Sequence, residues 1–137
     1  MRILGIDYGD SRIGVSVSDP FGWTAQGLET INASKGMQFV FKRLQEIMLE
    51  YKVEKIVVGF PINMNGTIGD RGIKTEKFIN LLKEKFDVPV QKWDERLTTV
   101  AAQRLMNESN IKNKKKKGLI DTISSTYILQ GYLDSIR

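Results

Sequence analysis

Hydrophobic and polar positions change their period along the 137-residue chain. Residues 2–7 form a mostly apolar run that ends on Asp7, a pattern suited to a central strand. Arg12-Ile13-Gly14-Val15-Ser16-Val17-Ser18 then alternates apolar with small or polar residues, the period of a second strand. Tyr8-Gly9-Asp10-Ser11 between them supplies turn chemistry, so the two runs are expected to form a hairpin. Asp19-Pro20-Phe21-Gly22 is another turn, and Trp23 to Ile31 reads as a third antiparallel strand.

The period then lengthens. Met37, Val40, Phe41, Leu44, Ile47, Met48 and Tyr51 recur at three- and four-residue steps, which predicts an amphipathic helix capped by Asn32 or Ser34. Lys55 to Gly59 reads as a short buried strand. The segment from Phe60 to Gly69, rich in Pro, Asn and Gly, reads as a loop with the composition of a lid or of a passive connection. Asp70 is placed to cap a helix with Phe78, Leu82 and Phe86 on one stripe. Val88 to Trp93 is a further strand, Thr98 or Thr99 opens a short helix through Met106, and a final helix is expected from about Leu119 to Ile136. The order β-β-β-α-β-α-β-α-α gives an α/β fold with a mixed five-stranded sheet. Its first three strands are antiparallel, the later ones are parallel, and helices cover both faces. No repeat, low-complexity tract or long linker divides the chain, so residues 1–137 are expected to form a single domain.

Composition narrows the chemistry. At 41% hydrophobic and 27% charged residues, the chain matches an ordinary soluble domain. No apolar run approaches the roughly 20 residues that span a bilayer, and the first residues lack a signal-peptide pattern, so a cytoplasmic protein is expected. There is no His and no Cys. Imidazole, thiolate, disulfide and zinc-thiolate chemistry are therefore excluded, leaving carboxylates, Lys, Tyr and hydroxyls. The net charge of +5 favours an anionic partner. Lys112, Lys114, Lys115, Lys116 and Lys117 concentrate that charge in a block expected to be a mobile loop.

Three separated acidic positions stand out: Asp7, the pair Asp94-Glu95, and Asp121, which follows Gly118-Leu119-Ile120. Carboxylates drawn from distant parts of a chain suit Mg²⁺ or Mn²⁺, which prefer hard oxygen ligands. Asp7 and Glu95 both fall at carboxyl ends of expected strands, where ligand crevices open in such sheets. Neighbouring strand residues point to opposite faces, so only one of Asp94 and Glu95 is expected to enter the site. Simpler roles exist for each. Asp7 suits a turn, Asp94 or Glu95 suits a surface pair with Arg96 or Lys92, and Asp121 suits the first turn of a helix. Arg12, Arg71 and Arg96 are candidates for gripping phosphate. Thr98 and the four consecutive lysines, Lys114, Lys115, Lys116 and Lys117, are nucleic-acid-binding candidates beside them. Gly5 and Gly9 could admit a phosphate backbone, or simply serve the turn. Trp23 and Trp93 are expected in the core rather than stacked on bases.

Five motifs carry a resemblance. They are Gly5-Ile6-Asp7-Tyr8-Gly9; Arg12 to Asp19; Val57-Val58-Gly59-Phe60-Pro61-Ile62-Asn63-Met64-Asn65-Gly66; Asp94-Glu95-Arg96-Leu97-Thr98-Thr99; and Ile120-Asp121 with Ile128-Leu129-Gln130. In this order and spacing they resemble the YqgF (RuvX) family of the ribonuclease H-like superfold, over essentially the whole length. Ser124-Ser125 departs from the family's usual Ala-Ala, a small-for-small change that keeps close helix packing possible.

The resemblance implies a nuclease with an acidic site at Asp7, Glu95 and Asp121, and two activities are associated with the family. One is maturation of the 5′ end of pre-16S ribosomal RNA; the other is resolution of four-way DNA junctions. Two divalent ions about 4 Å apart would suit either hydrolysis, with Asp7 bridging because it ends the most central strand. A ribosomal small-subunit precursor is a conceivable partner. Junction resolution needs two symmetric cuts and hence a dimer, yet no extra segment advertises one, so a monomer or weak homodimer is expected. Two readings compete with a nuclease. One is a non-catalytic RNA-binding domain. The other is a sugar-kinase-like or actin-like ATPase, which would need a second such domain.

Overall fold

The computed structural model describes residues 1–97 and 113–137, with side chains described through 96 and from 122. Five strands form one sheet: β1 (Arg2–Asp7), β2 (Arg12–Ser18), β3 (Ala25–Asn32), β4 (Val53–Phe60) and β5 (Val90–Asp94). Their spatial order is β3-β2-β1-β4-β5, with β1 at the centre. β1 pairs antiparallel with β2, and β2 with β3; β4 runs parallel to β1, and β5 to β4. This is the expected mixed sheet of a ribonuclease H-like fold.

Alternation along the strands sorts residues between two layers. Leu4 and Ile6, Ile13, Val15 and Val17, and Ile56, Val58 and Phe60 point to one face. Helices α1 (Met37–Tyr51) and α2 (Asp70–Lys85) cover that face. From α1, Val40, Phe41, Leu44, Ile47 and Met48 are buried, and from α2, Phe78, Ile79 and Leu82. Ile3 and Val57 point the other way, against α3 (Asn113–Ser135) and its Ile128, Leu129, Tyr132 and Leu133. Among the described residues, no helix is long and apolar enough to cross a membrane.

Several local expectations are corrected. Lys114, Lys115, Lys116 and Lys117 lie in the first turns of α3 and not in a loop, because the helix begins at Asn113. Lysine is a good helix former, and that propensity outweighs the block's charge in setting the backbone. Lys112 lies outside the described residues. Trp23 is exposed at 63% and is not a core residue. It belongs to the β2–β3 turn, where the Asp19 carboxylate accepts hydrogen bonds from the backbone N–H groups of Phe21, Trp23 and Thr24, delaying β3 to Ala25. Trp93 does join the core, edge-on to Tyr132. Asn32 caps a short 3-10 turn, Ala33–Lys35, by accepting from the Ser34 N–H, and Gly36 precedes α1 instead. Gly69 occupies the cap position of α2, with Asp70 as its first residue. The helix expected from Thr98 or Thr99 to Met106 lies outside the described residues.

Candidate active site

Asp7 is the last residue of β1 and shares the face of Ile3 and Gly5, so its carboxylate is directed to the α3 side of the sheet. It is only 8% exposed. Glu95 follows β5 as the first residue of a 3-10 turn, Glu95–Leu97. Gly59 lies on the same face as Val57, and a Cβ placed there would lie 3.0 Å from Glu95 Cγ. The missing side chain at 59 therefore leaves room first for Ile128 of α3 and then for the stem of Glu95. The two carboxyl groups meet in a side-chain hydrogen bond.

Burying Glu95 has an electrostatic cost. Burial pushes the Glu95 carboxyl above its ordinary range; the Arg71 guanidinium and the bond to Asp7 pull it down, and the charge of Asp94 pushes it up again. The balance is a raised value. Arg71, in the first turn of α2, reaches over the pair with Nη2 3.5 Å from Asp7 Oδ1 and 3.5 Å from the Tyr8 carbonyl. At these lengths the contact is ionic more than hydrogen-bonded. Beside them opens a cleft of about 260 Å³ whose lining includes Pro61, Asn63, Gly69, Arg71 and Glu95. The loop above it is an ordered turn. Asn63 N–H donates to the Thr67 carbonyl at 2.9 Å, and the Asn65 side chain accepts from Thr67.

Asp94 and Glu95 part company where the chain leaves β5 for the 3-10 turn. The Asp94 carboxylate takes a two-pronged bond from Arg96, with Nη2 to Oδ2 at 2.7 Å, which lowers its pKa. Arg96 is thereby held away from the Asp7–Glu95 pair, and Lys92 pairs with Glu76. Arg12 opens β2 two residues before Gly14, the register partner of Asp7, and so sits at the same end and on the same face as Asp7. The backbone of Lys114, Lys115, Lys116 and Lys117 enters α3 one to two turns ahead of Asp121. Thr98 lies outside the described residues.

Asp121 lies well inside α3, beyond the first turn, so the helix macrodipole does not account for it. Its neighbour Thr122 fixes where that part of the helix rests. Thr122 Oγ1 is 3.0 Å from Thr30 Oγ1, and Thr30, Gly14 and Asp7 form one row across β3, β2 and β1. The backbone at 121 is thus docked beside the row that ends in Asp7. Sequence reasoning missed Thr30, Thr122 and Gly59 as placing residues, and their only signal was adjacency to an acid or to a strand end. For Gly5 the sequence leaves open room for phosphate or a turn role. A Cβ at Gly5 would instead run into the Ser16 hydroxyl and lie 2.7 Å from Leu129 Cβ and 3.1 Å from the Ser125 carbonyl, so the close neighbours are β2 and α3. Ser125 is fully buried and its hydroxyl donates to the Thr122 carbonyl, which lets Ser stand at a small-residue position. At Gly9 a Cβ would lie 2.6 Å from the Arg12 carbonyl, so that glycine serves the hairpin turn.

Two adjacent carboxylates with one buried and one half-buried, facing a polar cleft, make a hard-oxygen donor set that fits a divalent cation. Among the described side chains they are a pair, with no third acid beside them.

The chain is similar to known proteins over nearly its whole length. A family model described as "RuvX: Holliday junction resolvase" matches residues 1–135. A protein of Acetivibrio thermocellus named "Putative pre-16S rRNA nuclease" is 59% identical over 136 residues, covering 98% of this chain and 96% of the relative. One of the same name from Ruminiclostridium cellulolyticum is 60% identical, covering 99% and 96%. Among solved structures, RuvC of T. thermophilus in complex with a Holliday junction substrate superposes with a TM-score of 0.58 at 17% identity, covering 99% of this chain and 96% of that one. The Fowlpox virus resolvase, with substrate Holliday junction DNA, gives 0.56 at 14% identity, covering 99% of each. These two likenesses bear on the fold.

Proposed function

The chain belongs to the RuvX family, and from that premise we propose that it is a metal-dependent endonuclease acting on precursor ribosomal RNA, at the 5′ end of 16S RNA. The observation that carries the reading is the pairing of Asp7 with Glu95 at the carboxyl ends of β1 and β5, beside an open polar cleft. Asp7, Glu95 and Asp121 would hold Mg²⁺ or Mn²⁺. When bound, such ions neutralise charge on the phosphate and make water nucleophilic at neutral pH.

The protein's own part is geometric and electrostatic. β1 and β5 each pair with β4, so Asp7 at the end of β1 and Glu95 in the turn after β5 are brought together before anything binds. Burial disfavours the charge on Glu95 and Arg71 offsets this only in part, so a cation placed there would be stabilising. Arg71 is 60% exposed at its side chain and stands where a phosphodiester would approach, so its planar fork is available to the backbone phosphate. Arg12 is placed to meet the same strand from β2. Lys114, Lys115, Lys116 and Lys117, in the first turns of α3, would add sequence-independent attraction for the polyanion. Thr98 is kept as a phosphate-binding candidate.

The RNA reading leads because relatives about 60% identical over nearly the full chain carry that name. The description of the family model favours a second reading, a resolvase cutting four-way DNA junctions. The test is cleavage of two labelled substrates, an RNA spanning the 16S 5′ leader and a four-way DNA junction, with Mn²⁺, with Mg²⁺ and with EDTA. Metal-dependent cutting of the RNA alone is expected, with at least a hundredfold loss in Asp7→Asn, about the loss that follows removal of one stabilising group in other active sites. Paired symmetric nicks in the junction would move the assignment to the second reading. Cutting by Asp7→Asn at the wild-type rate would refute the site.

A further inference from the structure

Next to the carboxylates, on the other face of the sheet, we propose a subsite for one nucleotide of a single-stranded substrate, with its base against Tyr8 and its phosphates on Lys74 and Lys77. The proposal rests on the nuclease reading above and adds the route by which the strand leaves the site.

Asp7 and Tyr8 are neighbours, yet their side chains serve opposite faces. Asp7 faces α3, whereas Tyr8 packs with the α1–α2 core, its ring stacked on Phe78 at 4.6 Å between centroids and 27° between planes. Beside that stack is a notch of about 140 Å³ lined by Tyr8, Met37, Phe78 and Leu81, with Lys74 and Lys77 completing its wall. Both lysines are at exposed positions. The lining is therefore apolar and aromatic inside and cationic toward water.

The cations are also continuous with the site. Arg71, Lys74 and Lys77 recur at three-residue steps on α2 and form a slanting row, rising about 4.5 Å per step. The row starts at Arg71, which contacts both Asp7 and the Tyr8 carbonyl, and runs past the notch. Lys74 donates to Asp10 Oδ2 at 3.1 Å, an exposed pair of the kind a phosphate can displace. None of the ion pairs among the described residues engages Lys77.

A nucleotide matches this layout. Its base has a flat apolar face that extends an aromatic stack, and its phosphates need cations on the solvent side. A base held in a duplex is already stacked and paired and cannot enter, so the occupant is an unpaired nucleotide. An acidic peptide would use the lysines and leave the aromatic notch unexplained.

The test is fluorescence anisotropy with the full chain in EDTA, which prevents cutting. The probe is a short labelled single-stranded RNA, together with versions carrying an abasic residue at each position in turn, over a series of salt concentrations. Tyr8→Ala is expected to weaken binding roughly five- to 150-fold, the range for losing one stacked base, and Tyr8→Phe to bind as the wild type does. One abasic position should weaken wild-type binding and have no further effect in Tyr8→Ala. Lys77→Gln, at a surface position that leaves the fold intact, should lower the slope of log affinity against log salt by about 0.7. If Tyr8→Ala does not fold, the abasic series and Lys77→Gln decide the matter. Unchanged slope in Lys77→Gln together with indifference to every abasic position would overturn the subsite, as would absence of RNA binding. Loss of the nuclease reading would show separately, as no metal-dependent cleavage by the wild-type chain.

Discussion

On one face of the sheet, α1 and α2 rest on Leu4, Ile6, Ile13, Val15 and Val58; on the other, α3 rests largely on Gly5, Ser16, Gly27 and Gly59. The first face is filled by branched and aromatic side chains, which any well-packed set of similar volume could replace at modest cost. The second face has little side-chain filling near the site. There the helix backbone itself comes down on the strands: Ser16 Oγ donates to the Ser125 carbonyl at 2.8 Å, and Thr122 meets Thr30. Bulky apolar contacts on this side gather farther along α3, at Ile128, Leu129, Tyr132 and Leu133. One face supplies stability, and the other sets the position of α3, the helix that carries Asp121, relative to Asp7.

Substitutions on the two faces should therefore fail differently. Leu44→Ala on the first face should cost about 2–5 kcal/mol of stability by removing fully buried methyl groups. The folded fraction should still bind Mn²⁺ with wild-type affinity, as denaturant melts and calorimetry would report. Gly5→Ala on the second face should cost less, about 1–3 kcal/mol, from overpacking against Leu129 and Ser125. It should nevertheless lower metal affinity and cleavage at least tenfold, because α3 must shift away from β1. If Gly5→Ala cuts normally while its stability falls, the positional role of the second face is wrong.

Glu95→Gln gives a smaller effect with the opposite sign. The Glu95 carboxyl is raised by burial, so its ionised form is disfavoured in the folded protein. A raised folded value means its contribution to stability is present in full below the ordinary glutamate range and is lost as pH rises through the raised value. At neutral pH, removing that charge should raise the metal-free melting temperature by a few degrees while abolishing cleavage. A lower melting temperature would mean that the carboxylate is a structural group.

The strand and helix pattern is legible in the sequence because each element has a clear period. β2 alternates, α1 carries a stripe, and β1 is apolar from Ile3 to Ile6 because both faces of a central strand are covered. Alternation predicts that Glu95 and Asp94 separate, and the chain leaves β5 for a 3-10 turn at Glu95, with Asp94 held by Arg96. Other features are not legible because they depend on tertiary neighbours. Nothing local says that Gly5 is small for the sake of a helix more than a hundred residues away, or that Gly59 clears space for Glu95. The lysine block misleads for a different reason: its charge repulsion suggests a loop, while the helix propensity of lysine carries Lys114, Lys115, Lys116 and Lys117 into α3. Trp23 misleads because hydrophobicity suggests burial, while the turn held by Asp19 leaves it outside.

In the proposed site, acids from β1, from the turn after β5 and from α3 together hold one metal centre. Calorimetric titration of Mn²⁺ into the wild type and into Asp7→Asn, Glu95→Gln and Asp121→Asn tests it most directly, with each variant first shown to be folded by circular dichroism. The wild type should bind, and each single variant should lose at least tenfold in affinity. Wild-type binding by Asp121→Asn would contradict the claim for α3, and a wild type that binds no Mn²⁺ would contradict it altogether.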